Sequence, residues 1–370
     1  MSPVTGWTEL DDRAIAYARA LAADSVQKVG NGHPGTAMSL APVAYVLFQR
    51  HLVHDPSDPT WIGRDRFILS CGHSSLTLYT QLFYSGYGLE MEDLKSFRTW
   101  GSLTPGHPEF GHTAGVEMTT GPLGQGVATA VGMAMAARYE RGLLDPLTAA
   151  NESIFDHRIW VICSDGDLQE GVSAEASSLA GTQELGNLNV IYDDNRISIE
   201  GDTHNAFTED VSMRYLAYGW HVIDVAAASD GNVDIEALDA AMIAAKEETK
   251  KPSLIRLKTV IAWPAPTLRG TGKSHGSALG NEEIAATKTL LGLNPQENFA
   301  MPLEVLNHVR EVKTRGAQVR RKWDEKFEQW SSAHPETAEL LSRLREEKLP
   351  QGWDSGLPVF ASGKDVATRA

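Results

Sequence analysis

Short apolar segments alternate with longer amphipathic ones along most of this chain. The apolar segments contain β-branched residues and are bounded by turn residues, a pattern typical of buried strands. They lie at 66–70, 159–163, 188–193, 220–225 and 252–257. Apolar residues at helical spacing predict helices around them, at 11–29, 37–50, 75–85, 126–141, 173–185 and 234–248. The alternation predicts an α/β fold, a doubly wound and mainly parallel sheet with helices on both faces.

The pattern changes after about residue 295, where charged helical sequence replaces the alternation. Glu, Lys and Arg recur through 302–331 and 335–348, and Pro and Gly punctuate 349–358. We therefore expect three parts. They are an α/β domain at 1–295, a helical extension at 296–348, and a linker with the first residues of a further domain at 349–370.

Charge limits the partners that this chain is expected to have. Of its 370 residues, 33 are basic and 48 acidic, which gives a net charge of −15. No basic block is present, so neither nucleic acid nor an anionic membrane is an expected partner. A phosphorylated substrate would have to be held by local positive groups against an unfavourable overall field.

The two cysteines, Cys71 and Cys163, lie in or beside apolar predicted strands. Two such thiols are more typical of core packing than of a nucleophile or a disulfide, and they favour a reducing compartment. The N-terminal residues lack the basic start and apolar run of a signal peptide, and no apolar stretch is long enough to span a bilayer. The expected location is the cytoplasm.

Polar residues follow two neighbouring predicted strands. Asp165 and Gly166 come after one strand, and Asn195 comes after the next. With the helix between them they form a β-α-β unit, whose carboxyl ends lie at the ligand-binding edge of a sheet. A carboxylate oxygen of Asp165, an amide oxygen of Asn195 and the backbone carbonyl of Ile197 suit Mg²⁺ or Ca²⁺, with phosphate oxygens and water completing the coordination. Gly166 lets the backbone approach a diphosphate closely.

The alternative interpretation is a solvated acidic turn followed by an Asn-containing turn. An isolated Asp-Gly pair would favour that alternative. Here the spacing, the flanking strands and the intervening helix agree with one another, so they favour a metal and diphosphate site.

Asp165-Gly166, Glu170-Gly171 and Asn195 together resemble the metal motif of thiamine diphosphate enzymes. Five further segments narrow the resemblance to the transketolase family, because they stand in that family's order and spacing. They are 31–35 (Asn-Gly-His-Pro-Gly), 70–73 (Ser-Cys-Gly-His), 104–109 (Thr-Pro-Gly-His-Pro-Glu), 119–126 (Thr-Thr-Gly-Pro-Leu-Gly-Gln-Gly) and 273–276 (Lys-Ser-His-Gly). The resemblance runs from about residue 11 to 280. Ser164 departs from it, since the motif usually has glycine there, and we expect only a local change.

Four histidines lie in these segments. A single histidine in a loop usually has a structural role, but the resemblance implies that His33, His73, His107 and His275 line a channel for cofactor and sugar. It places His73 and His275 at the diphosphate, and it places His33 and His107 at substrate hydroxyls near the bond that breaks. The implied catalytic set is His33, His107 and His275. Imidazole suits this task because it accepts and donates protons near neutral pH.

The glycine-rich segment 121–126 precedes a predicted helix, so it is either a tight turn or a phosphate site at a helix N-terminus. The resemblance favours the phosphate site and implies that Gly121 and Leu123 lie along the cofactor. Glu170 is either a first-turn carboxylate favoured by the helix dipole or, as the resemblance implies, a member of a carboxylate network that crosses the dimer interface and links the two active sites. Arg369 matches a family arginine that holds the sugar phosphate.

The resemblance implies reversible transfer of a two-carbon ketol unit from a ketose phosphate to an aldose phosphate, in the pentose phosphate pathway. The implied cofactors are thiamine diphosphate and Mg²⁺, with Ca²⁺ or Mn²⁺ as substitutes. Asp165, Asn195 and Ile197 are the implied metal ligands. The implied cofactor-binding residues are His73, Gly121, Leu123, Gly166, Glu170, Asn195 and His275. Phosphorylated sugars are the expected substrates, and a homodimer is the expected assembly.

In this family, a glutamate of a pyrimidine-binding domain, contributed by the opposite subunit, activates the cofactor. No residue of this chain matches it, because the resemblance stops where that domain begins. We therefore expect the 370-residue chain to be inactive, or nearly so, without that domain. Three alternatives remain. They are a subunit of a split transketolase, another thiamine diphosphate ketol transferase such as a dihydroxyacetone synthase, and a non-catalytic diphosphate-binding module or fragment.

Overall fold

A computed structural model of the chain describes residues 4–149, 151–199, 201–363, 365 and 367. Its strands are β1 (Arg66–Leu69), β2 (Ile159–Ser164), β3 (Leu188–Asp194), β4 (Ile197–Ser198), β5 (Gly201–Asp202), β6 (His221–Val225) and β7 (Ser253–Lys258). Five of them form one parallel sheet in the order β1-β2-β3-β7-β6, while β4 and β5 form a small antiparallel pair. The predicted α/β fold with a mainly parallel sheet is confirmed.

The helices flank this sheet and extend beyond it. They are α1 (Glu9–Val29), α2 (Pro34–Val46), α3 (Ser75–Ser85), α4 (Met91–Lys95), α5 (Gln125–Leu144), α6 (Asp165–Gln169), α7 (Gly171–Thr182), α8 (Val211–Ala217), α9 (Ile235–Glu247), α10 (Lys273–Gly276), α11 (Asn281–Leu290), α12 (Leu303–Ala333) and α13 (Pro335–Arg345). The sequence pattern missed α4, α6, α8, α10 and α11. Most of these helices are too short to show a helical period.

Apolar cores cover both faces of the sheet. Every residue of β2 is buried, as expected for a central parallel strand. Trp160 and Ile162 face a larger core that includes α1, α2, α3 and α9, whereas Val161 and Cys163 face a core that includes α5 and α8. Both cysteines are buried free thiols. Among the described residues, no helix combines the length and the apolar character needed to cross a membrane.

Strand order places the ligand-binding edge. β3 and β7 are neighbours although β6 lies between them in sequence. Such a change in strand order opens a crevice at the carboxyl ends of the strands. The loops that leave β1, β2, β3 and β7 therefore meet at one edge of the sheet.

The long helix α12 packs on α1 and α3. Val305, Val309 and Val312 are its buried contacts. Gly316 brings the helix close to the backbone, because a Cβ at that position would lie 2.4 Å from the carbonyl oxygen of His54. The packing of α12 thus depends on a position that has no room for a side chain.

Replacing Gly316 by alanine should lower the free energy of unfolding by about 1–3 kcal/mol, because the added methyl group forces α12 away from its contact. Gly132→Ala is the matched control. Gly132 also lies within a helix, but its Cβ position is open, so alanine should stabilise the protein by about 0.5–1 kcal/mol. Urea unfolding of both variants measures the difference. Equal changes in the two variants would contradict the assigned packing.

Candidate functional site

Three separate segments bring His33, His73 and His275 together: the N-cap of α2, the 3₁₀ turn after β1, and the short helix α10. Their ring centroids are 5.1 Å (His33 to His73), 5.4 Å (His33 to His275) and 5.0 Å (His73 to His275) apart. Each ring has a buried nitrogen without a hydrogen-bond partner in the described part of the chain: Nδ1 of His33, Nε2 of His73 and Nδ1 of His275. Unpaired buried polar atoms are uncommon in proteins. These nitrogens therefore retain the capacity to bind a ligand.

The start of α2 fixes this cluster. His33 is the N-cap of α2, and Pro34 occupies the first helical position, where proline is favoured. A Cβ on Gly35 would lie 2.4 Å from the carbonyl oxygen of Ser274. The absence of a side chain at Gly35 thus lets the segment that carries His275 approach α2. The amide of Ala262 also donates to the Gly35 carbonyl at 3.0 Å.

Burial keeps these imidazoles neutral. It lowers the pKa of His33 to about 4, and repulsion from protonated His275, from Arg98 and from protonated His107 adds to the effect. Burial also holds the pKa of His73 well below its ordinary value, with His275 contributing. The pKa values of His107 and His275 are lowered for the same main reason. At neutral pH all four rings can therefore accept a proton.

The glycine-rich segment lies between His107 and the turn that carries His73. A Cβ on Gly121 would lie 3.8 Å from the His107 ring, and one on Gly72 would lie 3.2 Å from the amide nitrogen of Gly121. Two predicted site residues, Gly121 and His107, are therefore neighbours. Glycine at 72 permits the close approach.

Arg98 is a site residue that the sequence analysis missed. Its backbone has a φ of 58°, which is uncommon for a residue with a side chain and is often found at functional sites. Its Nη1 donates to Oδ1 of Asn31 at 2.9 Å. Arg98 and Asn31 line a cavity of about 780 Å³ that His107 also lines. The cavity thus combines a cation with a neutral imidazole.

Asp165 holds an unpaired carboxylate oxygen at the end of β2. The residue is 4% exposed. Its Oδ1 accepts a hydrogen bond from the Tyr192 hydroxyl, while its Oδ2 is buried and has no partner among the described residues. The pKa of Asp165 is raised to about 6, mainly by burial; the Tyr192 hydroxyl opposes this rise and the nearby Asp194 adds to it. A cation bound here would satisfy the free oxygen.

Asn195 and Ile197 form a turn beside Asp165. The Asn195 Nδ2 donates to Asp193 at 2.7 Å, and its Oδ1 accepts from the amide of Ile197 at 2.8 Å. An amide oxygen has two lone pairs, so one remains available. The backbone of Arg196 has a φ of 60°, and its amide is close enough to Asp165 to oppose the rise in the pKa of that carboxyl.

The donor set at this turn fits a hard cation. No three side chains of His, Cys, Asp or Glu come together as a metal-binding group in the described ranges. A cation here would therefore combine one carboxylate with amide and backbone oxygens. Mg²⁺ and Ca²⁺ accept such oxygens and take further oxygens from phosphate or water.

The remaining predicted residues differ in position. A Cβ on Gly166 would lie 2.9 Å from Cδ1 of Leu123, so these two predicted residues are in contact. Glu170 is exposed at the N-cap of α7, beside Gly124 rather than within the buried set. Arg369 lies outside the described residues.

Two carboxylates behind the turn were also missed. Asp194 is paired with Arg256 Nε at 2.7 Å and with Lys258 Nζ at 2.6 Å. Asp193 accepts from the Thr259 hydroxyl at 2.5 Å, and burial raises its pKa to about 7. The sequence contained one indication of these ion pairs: Arg256 and Lys258 are two residues apart in a predicted strand, so their side chains lie on the same face.

Comparison with known proteins identifies the family of this chain. The chain matches the family described as "Transketolase, thiamine diphosphate binding domain" over residues 10–350. It is 57% identical over 365 residues to a transketolase of Mycobacterium leprae, covering 98% of this chain and 52% of that protein. It is 47% identical over 362 residues to a transketolase of Geobacillus stearothermophilus, covering 98% of this chain and 53% of that protein.

Solved structures give the same result. A Pichia stipitis transketolase in complex with sedoheptulose-7-phosphate superposes with a TM-score of 0.91 at 43% identity, covering 98% of this chain and 52% of that one. A Leishmania mexicana transketolase gives a TM-score of 0.89 at 41% identity, covering 95% of this chain and 52% of that one. The chain thus spans about half the length of the relatives it matches. It belongs to the transketolase family, of which it contains the thiamine diphosphate-binding domain.

Proposed function

We propose that this chain supplies the diphosphate-binding and Mg²⁺-binding half of a transketolase active site. The complete reaction would be reversible transfer of a two-carbon ketol unit from a ketose phosphate to an aldose phosphate in the pentose phosphate pathway. The convergence of His33, His73 and His275 within 5.0–5.4 Å of one another carries this proposal. Binding a diphosphate alone would not require so many neutral imidazoles at one place.

Thiamine diphosphate, when bound, supplies the electron sink for carbon–carbon cleavage. The unpaired Oδ2 of Asp165 supports a role as metal ligand, together with the amide oxygen of Asn195 and the carbonyl of Ile197, for Mg²⁺ or for Ca²⁺ or Mn²⁺ in its place. The residues proposed to surround the cofactor are His73, Gly121, Leu123, Gly166, Glu170, Asn195 and His275.

The histidines would orient the sugar and handle its protons. Because His33 and His107 are neutral, each can accept a proton from a substrate hydroxyl and return it. His275 has its own unpaired nitrogen and is proposed to act on both substrate and diphosphate. We assign the sugar phosphate to Arg369 by resemblance alone.

Assembly and location complete the proposal. The outward faces of α5 and α7 expose Tyr139 (73%), Val172 (43%) and Leu179 (43%), which supports a homodimer formed partly through these helices. A pyrimidine-binding domain, in the same chain or another, would complete the site. The two reduced, buried cysteines support a cytoplasmic location. The domain boundaries at 295 and 348 stay a prediction.

Asp165→Asn should weaken Mg²⁺-dependent binding of thiamine diphosphate by more than about 100-fold. Loss of an outer partner of a metal ligand already costs about 10–100-fold, and here the charged ligand itself is removed. Isothermal titration calorimetry measures the affinity. Asp234→Asn is the control, because Asp234 is not a proposed ligand, its side chain caps α9 by accepting from the amide of Ala237, and asparagine caps equally well. Equal affinity in the two variants would refute the assignment of Asp165.

The ring protons of His33 should titrate at a pH near 4 in NMR spectra. Its pKa is lower in the folded chain than in the unfolded one. Its contribution to stability is therefore fully present above pH 6.5 and is lost as the pH falls through about 4.

Bound Mg²⁺ and diphosphate should raise the pKa of His73 and His275, because the negative charge favours protonated rings. A His33 titration near its ordinary value would contradict the assigned burial.

The 370-residue chain alone should show no ketol transfer above background, because the residue that activates the cofactor in this family has no match here. The assay follows consumption of xylulose-5-phosphate in the presence of an aldose phosphate, thiamine diphosphate and Mg²⁺. The full-length Geobacillus stearothermophilus transketolase serves as the positive control. Turnover by the short chain at a rate similar to that control would overturn this part of the proposal.

A further inference from the structure

Asp167 is a buried carboxylate two residues after the proposed metal ligand Asp165, and the proposed function gives it no task. We infer that Asp167 is a positioning residue. It fixes the glycine loop (residues 121–126) against the metal turn (residues 164–166), so that both face the same diphosphate. This inference rests on the proposed function, because it concerns how that site is held in shape.

Both oxygens of the Asp167 carboxylate are saturated with hydrogen bonds. Oδ1 accepts from the Ser70 hydroxyl at 2.6 Å and from the Gly124 amide at 2.8 Å. Oδ2 accepts from the Ser164 amide at 2.9 Å and from the Ser164 hydroxyl at 3.1 Å. One carboxylate, 0% exposed, thus joins the end of β1, the end of β2 and the glycine loop.

We call the set of hydrogen bonds to the Asp167 carboxylate the Asp167 clasp. Further hydrogen bonds connect this clasp to two helices. The Ser70 hydroxyl also accepts from the amide of Val127, in the first turn of α5, at 3.1 Å. The Ser173 hydroxyl of α7 donates to the backbone carbonyl of Asp167 at 2.6 Å. The starts of α5 and α7 are therefore tied to the same residue.

Glycines permit the close approach that the carboxylate then holds. A Cβ on Gly124 would lie 2.7 Å from Cβ of Glu170, and one on Gly126 would lie 2.4 Å from Cα of Ser70. These residues have no side chain that could lock the loop in place. The hydrogen bond from the Gly124 amide to the Asp167 carboxylate supplies the directional attraction that packing alone does not give.

The clasp also explains Ser164, the departure from the family motif. A glycine at position 164 would keep the hydrogen bond from its backbone amide to Asp167 but would lose the hydrogen bond from the hydroxyl. Serine therefore adds a fourth donor to the carboxylate, and together the two residues form a capping box at the start of α6. Serine at position 164, in place of the usual glycine, thus strengthens the contact between the metal turn and Asp167.

Asp65 provides a control because it is another buried carboxylate that accepts backbone amides but lies elsewhere in the fold. It is also buried, at 5% exposure. Its carboxylate accepts hydrogen bonds from the backbone amides of Val53 at 3.0 Å and Arg158 at 2.8 Å. It lies just before β1 and therefore at the opposite edge of the sheet. Asparagine at either position replaces an accepting oxygen with a donor and leaves a buried donor unpaired.

The test compares Asp167→Asn with Asp65→Asn in the 370-residue chain, with Mg²⁺ and inorganic pyrophosphate as the probe. Both variants should be less stable in urea. Only Asp167→Asn should weaken pyrophosphate binding, by about 10–100-fold, when calorimetry is carried out where circular dichroism shows each variant to be folded. The Gly124 amide proton should also move upfield in the NMR spectrum of Asp167→Asn alone.

The outcomes separate the two proposals. If Asp167→Asn binds pyrophosphate as tightly as the unaltered chain, Asp167 has only a structural role and the inference fails. If the unaltered chain does not bind Mg²⁺-pyrophosphate, the proposed function itself fails.

If Asp167→Asn does not fold, Ser70→Ala and Ser164→Gly replace it in the test. Each removes one hydroxyl donor, from opposite oxygens of the carboxylate, and each should weaken pyrophosphate binding by roughly 2–10-fold. Unchanged affinity in both variants would overturn the inference.

Discussion

Burial of polar atoms without partners is the constraint on which this site depends. Among the described residues, the unpaired nitrogens of His33, His73 and His275 lie in one cluster, and the unpaired oxygen of Asp165 lies at the carboxyl end of β2. Each unpaired group costs about 1–3 kcal/mol in the folded chain. The apolar cores on the two faces of the sheet must offset that cost. Ligand binding would recover the free energy that these unpaired atoms cost.

The parallel sheet makes this arrangement possible. Parallel strands direct all their carboxyl ends to one edge, and the fully buried strands β2 and β3 hold those ends in fixed register. Polar turns can then be placed at that edge while the strands stay apolar. Carboxylates that would otherwise repel one another are paired with nearby cations. Asp194, for example, forms ion pairs with Arg256 and Lys258. The net charge of −15 thus does not describe the field at the site.

Local signals account for what could be predicted from the sequence. The β-branched runs predicted the five strands of the parallel sheet to within a residue or two but missed β4 and β5. The motif residues Asp165 and Asn195 were correctly placed at the carboxyl ends of two neighbouring strands. Convergence of His33 with His275 could not be derived in the same way, because their contact joins distant segments that no periodicity encodes. Only the family resemblance predicted it. Arg98 was missed for a related reason, since the cavity that it lines is formed together with residues distant in sequence, such as Asn31.

Asp165 and Asp167 show the limit most clearly. They are the same residue type, two positions apart, yet one keeps a free oxygen and the other accepts four hydrogen bonds. The Ser164 and Asp167 spacing is a capping signal that predicts part of this difference. The donors Ser70 and Gly124 are 97 and 43 residues away, so no local pattern contains them. A saturated carboxylate has no preference left for a ligand, and it can therefore hold the turn still while its neighbour stays available to bind one.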